Sequence, residues 1–164
     1  MNIALRQHTL DTSAIEIRLA TLDDIPALMP VLEEFFHATP WSERGLTFQH
    51  DKVENALRLV IGRGVQPYLL ALDRGEIVGC LSWHYWSDFC EPIAVMDETY
   101  IKPEYRRSDL ARKLVRLSMF IAQGDNARVM NFPLASGLKE TRTFVNMLRK
   151  FGCEMTGVMM TKVL

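Results

Sequence analysis

A mixed, mostly antiparallel sheet of about seven strands with helices on both faces is the architecture this sequence predicts, an α/β chain of the α+β type. Three observations lead to it. PYLLALD (67–73) and EIVGCLSWHYW (76–86) are apolar runs separated only by Arg74-Gly75, a two-residue hairpin pattern that implies antiparallel pairing. IAVMDETYI (93–101) is followed by a helical stripe and then a strand-like stretch at 127–134, and a strand-helix-strand crossover gives a parallel pair. The full order reads β-α-α-β-β-β-α-β-α-β-β, which supplies helices for both faces of one sheet.

Each element has its own signal. IEIRLA (15–20) alternates apolar and polar residues, as a half-buried strand does. Thr21 and Asp24 stand as a capping-box pair, with Asp in place of the usual Glu or Gln. Ile25, Leu28, Met29, Leu32, Phe35 and Phe36 then recur at helical spacing and predict an amphipathic helix over 23–36. HATPWSERGLT (37–47) reads as a loop. Val53, Ala56, Leu57, Val60 and Ile61 mark a second helix, stopped near Gly62 and Gly64.

After the hairpin and the 93–101 strand, Pro103 ends the ladder because proline has no N–H to donate. YRRSDLARKL (105–114) opens a third helix with Leu110, Leu114, Leu117 and Ile121 as its buried stripe. Phe144, Met147, Leu148 and Phe151 mark a fourth, with Gly152 as its C′ residue. Two short stretches, near 153–157 and 158–164, complete the sheet as a hairpin bent at Gly157.

With 164 residues and 18.8 kDa, the chain has the length of one domain with a full core. We expect a loose arm over 1–14 and a single domain over 15–164. A net charge of -1 gives no polycationic drive toward nucleic acid. Cys80, Cys90 and Cys153 are odd in number and lack metal-ligand spacing, so neither zinc nor a disulfide framework is expected. The first fourteen residues have no continuous apolar h-region and no run reaches 18 apolar residues. The expectation is a cytoplasmic chain with no membrane span.

IEIRLATLDDIPAL (15–28), ETYIKPEYRRSDLARKL (98–114) and MLRKFGCEM (147–155) resemble the GNAT superfamily of acetyl-CoA-dependent N-acetyltransferases. The likeness runs over about residues 15–164, and the middle stretch carries most of it. In MLRKFGCEM, Cys153 stands where the family usually has an aromatic residue. The family's cofactor motif is Gln/Arg-x-x-Gly-x-Gly/Ala. Here it reads Arg106-Arg107-Ser108-Asp109-Leu110-Ala111, with Asp109 in place of the central glycine.

The resemblance implies that the pyrophosphate of acetyl-CoA lies over the N–H groups from Arg107 to Ala111, at a helix start whose dipole favours anions. Arg106, Arg107, Arg112, Lys113 and Arg116 supply five nearby cations. Read without the resemblance, the same stretch is a surface helix capped by Ser108 or Asp109, its arginines solvated. Asp109 has two rotamer classes. Facing the loop, its charge about 5 Å from a phosphate costs on the order of 3 kcal/mol. Turned outward to Arg112 or Lys113, it is screened.

The resemblance further implies direct transfer of acetyl from the thioester to an amine. Thr99, Tyr100 and Ile101 would pair with the pantetheine arm and polarise the carbonyl. Three side chains that many members use correspond here to Leu148, Thr141 and Ser136 in place of Tyr, Asn and Glu. The replacement bases are Glu98 and Asp97, which strand alternation places on opposite faces. Each also reads as a solvated or ion-paired carboxylate. His84 has a suitable intrinsic pKa, and Tyr100 and Tyr105 are candidate acids for the thiolate. Trp41, Trp83, Tyr85 and Trp86 border an acceptor pocket or else pack the core.

The implied activity is therefore N-acetyl transfer from acetyl-CoA to an amine acceptor, with no metal. The alternative is a catalytically degenerate GNAT-fold protein that binds CoA or another protein. Nucleic-acid binding is the weaker third reading. The oligomeric state is left open, a homodimer included.

Overall fold

Alternating and helical patterns become a five-stranded sheet with helices on both sides in a computed structural model that describes residues 11–87, 91–134 and 141–157. The strands are β1 (Glu16–Leu19), β2 (Tyr68–Asp73), β3 (Glu76–Trp86), β4 (Ile93–Ile101) and β5 (Val129–Asn131). The helices are α1 (Ile25–Ala38), α2 (Pro40–Glu43), α3 (His50–Gly62), α4 (Leu110–Gly124) and α5 (Thr141–Lys150). Strand order is β1-β2-β3-β4-β5. The first three pairs are antiparallel, and β4 pairs with β5 in parallel.

The β2–β3 turn uses Arg74 and Gly75, both at positive φ (51° and 85°), the geometry that matches the strands' twist. The sheet separates two cores. Leu69, Leu81, Trp83, Ala94 and Met96 meet Leu110, Leu114 and Val115 of α4 and Leu148 of α5 on one face. On the other, Tyr68, Leu70, Cys80 and Tyr100 meet Ile25, Leu28 and Leu32 of α1 and Leu57 of α3. Cys80 is fully buried, and burial first, then the charge of Glu98, push its thiol up to about 12. Cys90 lies outside the described residues.

Several boundaries differ from those expected. Part of the 37–47 loop forms α2, with Pro40 at its start, where a missing N–H costs nothing. Residues 153–157 form no strand, and 158–164 lie outside the described residues. Five strands are therefore described where about seven were expected. Of the predicted arm 1–14, only residues 11–14 are described.

The entry to α1 shows what a local polar cluster contributes. Asp24 accepts from the Thr21 N–H at 2.8 Å and from both terminal nitrogens of Arg18 at 2.7 Å. The Arg18 hydrogen bonds hold its carboxyl far below the usual range, against the opposing effect of burial. A depressed carboxyl contributes stability above its unfolded pKa and loses it as pH falls through the folded value. Asp24→Asn is expected to destabilise the fold by about 1–2 kcal/mol at pH 7. In thermal melts, the difference from wild type narrows below about pH 4.

Candidate active site

A bulge in β4 builds the centre of the site. Leu81 pairs with Thr99 and Trp83 with Met96. On β3 only Ser82 lies between Leu81 and Trp83, whereas on β4 both Asp97 and Glu98 lie between Met96 and Thr99. Two residues oppose one, so the extra residue breaks the alternation. The expectation that Asp97 and Glu98 face opposite ways is thereby overturned: both meet partners on the α1/α3 face. Asp97 contacts His84 Nδ1 at 2.8 Å, and Glu98 accepts from Tyr68 Oη at 3.2 Å and from Ser82 Oγ.

Glu98 is the less exposed of the two carboxylates. Burial pushes its pKa up, and the neighbouring Asp97 charge adds to this, while the hydrogen bonds from Ser82 and Tyr68 pull it down. Its own N–H donates to Ser82 Oγ at 3.3 Å. Among the described residues it has no Lys or Arg ion-pair partner. Such a carboxylate is poised to exchange a proton closer to neutral pH than a solvated one.

Beyond Val95, β4 has no described partner on its β5 side, because β5 pairs only with Ile93, Ala94 and Val95. Lys102 N–H donates to Val78 O at 2.9 Å. The two-residue period of an antiparallel ladder then makes Tyr100 bond to β3, while Thr99 and Ile101 turn their main-chain groups to the open side. The Ile101 carbonyl already accepts from Arg106 Nε at 2.9 Å.

A cavity of about 670 Å³ runs along this edge to the start of α4, lined by Asp97, Glu98, Thr99, Tyr100, Ile101, Arg106, Ser108, Asp109, Ala111 and Arg112, with α5 residues opposite. The sequence-predicted site residues therefore converge, with two exceptions. Arg107 does not line the cavity, and Leu110 buries its side chain in the α4 core while its N–H donates to Ser108 Oγ at 3.2 Å. The first bond into the body of α4 runs from the Lys113 N–H to Asp109 O. Ala111 and Arg112 precede it and present helix-start amides.

The Asp109 carboxylate does not cap those amides. Thr12 Oγ1 donates to its carboxylate, and Lys113 Nζ lies 3.6 Å from it while also donating to Thr12 O and Oγ1. The Thr12 hydrogen bond is the main reason that its pKa is lowered. Its φ of -86° needs no glycine. Besides Arg107, the other four basic residues divide accordingly. Arg106 and Arg112 line the cavity, Lys113 serves the Thr12–Asp109 latch, and Arg116 stacks over Phe151 at 6.0 Å.

Other candidates take structural places. Tyr105 does not line the cavity and donates to Asp73 at 2.7 Å. Trp83 is fully buried and donates to Tyr85 Oη at 2.9 Å, and Tyr85 donates to Asp125. Trp86 is 47% exposed. Of the aromatic group, Trp41 lines the cavity. Leu148 is core and Thr141 lines the cavity, while Ser136 lies outside the described residues. Sequence reasoning missed Ser82, Tyr68 and Thr12. Ser82 alone left a trace, as a hydroxyl inside an apolar run.

Among the described residues, no group of three or more His, Cys, Asp or Glu could hold a metal, and no helix is long and apolar enough to cross a membrane.

Residues 27–136 match the profile of a family described as acetyltransferase (GNAT). No curated protein matches the chain. Solved structures share its fold. An aminoglycoside acetyltransferase from an uncultured soil metagenomic sample is 16% identical, with a TM-score of 0.73 over 92% of this chain and 98% of that one. A ribosomal-protein-alanine N-acetyltransferase from Brucella melitensis biovar Abortus 2308 is also 16% identical, with a TM-score of 0.68 over 92% and 98%. AAC(6')-Iy, solved with a CoA-containing bisubstrate analogue, is 12% identical, with a TM-score of 0.72 over 93% and 99%.

Proposed function

Since the chain belongs to the acetyltransferase (GNAT) family, we propose that it moves an acetyl group from acetyl-CoA to an amine by direct transfer, with Glu98 as the base. One observation carries this reading. The carboxylate that Ser82 and Tyr68 hold on the β4 bulge borders the same cavity as the open strand edge and the start of α4. Residues 15–164 act as the single catalytic domain.

Acetyl-CoA brings an activated thioester. The chain orients it: Arg106, Arg112 and the Ala111 and Arg112 amides suit phosphate, while the Thr99 main chain suits an amide-bearing arm along the strand edge. Glu98 takes a proton from the acceptor's ammonium, so that the nitrogen lone pair can attack. An N–C bond forms as the C–S bond breaks, the sulfur leaves as a thiolate, and the acylated nitrogen sheds its remaining extra proton, which replaces the one that the proton donor gives to the sulfur. Tyr100 lines the cavity two residues along the strand, with Arg106 5.5 Å over its ring, and is the proposed proton donor to that sulfur. Asp97, paired with His84, is the second basic group in reach.

Titration of acetyl-CoA and CoA by calorimetry tests the coenzyme half. Wild type is expected to bind both. Asp109→Gly is expected to change Kd by less than about fivefold, since the carboxylate is already paired with Thr12 and Lys113. Absence of binding by wild type would overturn the transferase reading and leave a non-catalytic member of the fold. A tightening of tenfold or more in the glycine variant would show that Asp109 obstructs the phosphate site.

A further inference from the structure

Behind Glu98 lies a second cavity, of about 510 Å³, between α1, α3 and the sheet. Leu32, Phe36, Phe48, Val53, Leu57 and Val60 give it an apolar wall. Its inner polar groups are Gln66, Tyr68 and Glu98, part of one hydrogen-bonded network in which Gln66 Nε2 lies 3.4 Å from Tyr68 Oη and 3.5 Å from Ser82 Oγ. Phe35, Thr39, Trp41 and Glu98 border both cavities. The two spaces therefore meet at the proposed base.

We infer that this second cavity is the acceptor site, and that the acceptor is a primary amine with one positive charge on a compact apolar body. The nitrogen sits at Glu98 and the body lies against α1 and α3. The assignment rests on the transferase reading for Glu98 and adds the acceptor's chemical class. Charge argues for it. Glu98 is the one acidic residue lining this cavity among the described residues, and its partners there are hydroxyls rather than a cation. A buried carboxylate so placed is stabilised by an ammonium that arrives with the ligand.

One carboxylate matches one ammonium. A second ammonium would find no second carboxylate in the described lining, and Lys52, its one basic residue, would repel it. The hydroxyls of an amino sugar would have Thr39, Thr47, Gln49 and Gln66 to meet, and those turned to the apolar wall would lack a partner. The volume lies within the range of about 300–1,000 Å³ that small-molecule sites occupy. Phe35 at the junction adds a ring toward which a cation is drawn, while the Trp41 ring already carries the Arg44 guanidinium at 5.1 Å.

Thiol release from acetyl-CoA by the full chain, with 4-phenylbutylamine against the polycationic amino sugar sisomicin, tests the assignment. The expected result is a kcat/KM at least about 100-fold higher for 4-phenylbutylamine, the scale on which unpaired polar groups discriminate. Ala56→Trp, at an exposed position on the cavity wall, is expected to raise the KM for 4-phenylbutylamine about tenfold or more and leave that for acetyl-CoA unchanged. Val60→Phe should do the same if the first variant folds poorly.

Turnover of sisomicin but not of 4-phenylbutylamine would overturn the acceptor class while leaving acetyl transfer intact. No thiol release with either amine would count against the transferase reading, and calorimetry would then decide the cavity. Saturable binding of 4-phenylbutylamine, lost in Ala56→Trp and weakened about tenfold in Glu98→Gln, supports it. No saturable binding, or equal binding of uncharged 4-phenylbutanol, overturns it.

Discussion

Glu98→Gln is expected to lower kcat/KM for acetyl transfer by about 10²–10⁴, the range a positioned general base contributes. The amide keeps the shape and still accepts from Ser82 and Tyr68, but it cannot take a proton. Wild-type activity should fall on the acid side with an apparent pKa above the usual carboxylate value of about 4.3, because burial disfavours the charged form of Glu98. The glutamine variant should lose that limb.

Linkage gives the stability effect the opposite sign. A raised carboxyl pKa means that the folded state binds the proton more tightly, so stability is greatest below the unfolded pKa and declines as pH rises through the folded one. Ionisation of Glu98 is thus a burden on the fold, and at pH values above its folded pKa Glu98→Gln should melt at a higher temperature than wild type while turning over far more slowly. Undiminished activity in the variant would remove Glu98 from the mechanism. Retention of the acid limb, with its loss in Asp97→Asn, would transfer the role to Asp97.

That choice between neighbours shows where the sequence is legible and where it is not. The β2–β3 hairpin, the β4–α4–β5 crossover and the stripes of α1, α3 and α4 follow from periods of 2 and 3.6 residues, which composition displays directly. The bulge is one unpaired residue in a nine-residue strand. Nothing in IAVMDETYI marks it, and straight alternation put Asp97 and Glu98 on different faces. Ser82 and Tyr68 enter the site only through strand register, which joins residues 16 and 30 positions away from Glu98.

Asp109 makes the same point over a longer distance. Its local sequence allowed an inward or an outward rotamer, and Thr12, 97 residues earlier, is the partner that holds it. Helix starts, charges and strand ends were readable near the phosphate loop. The division of labour among Arg106, Arg112, Lys113 and Arg116 was not, because it depends on which of them meets Thr12, Phe151 or the strand edge.

The aromatic run WHYW separates packing from function in one experiment. Trp83 is fully buried within the core that joins the sheet to α4 and α5, and its indole N–H donates to Tyr85 Oη. Trp83→Ala removes a large ring from a close-packed interior and is expected to cost about 3–5 kcal/mol, a large share of the roughly 5–15 kcal/mol that holds a domain folded. It also takes away one of the two hydrogen bonds of Tyr85, leaving the bond to Asp125. Denaturant melts should show an early midpoint, or no cooperative transition at all. Trp41, half-buried at the junction of the two cavities, should behave in the opposite way. Trp41→Ala is expected to keep a cooperative melt within about 1 kcal/mol of wild type and to raise the acceptor KM. If Trp83→Ala instead melted normally and changed only the acceptor KM, the tryptophan would belong to the pocket, and the packing of α4 against the sheet would need another anchor.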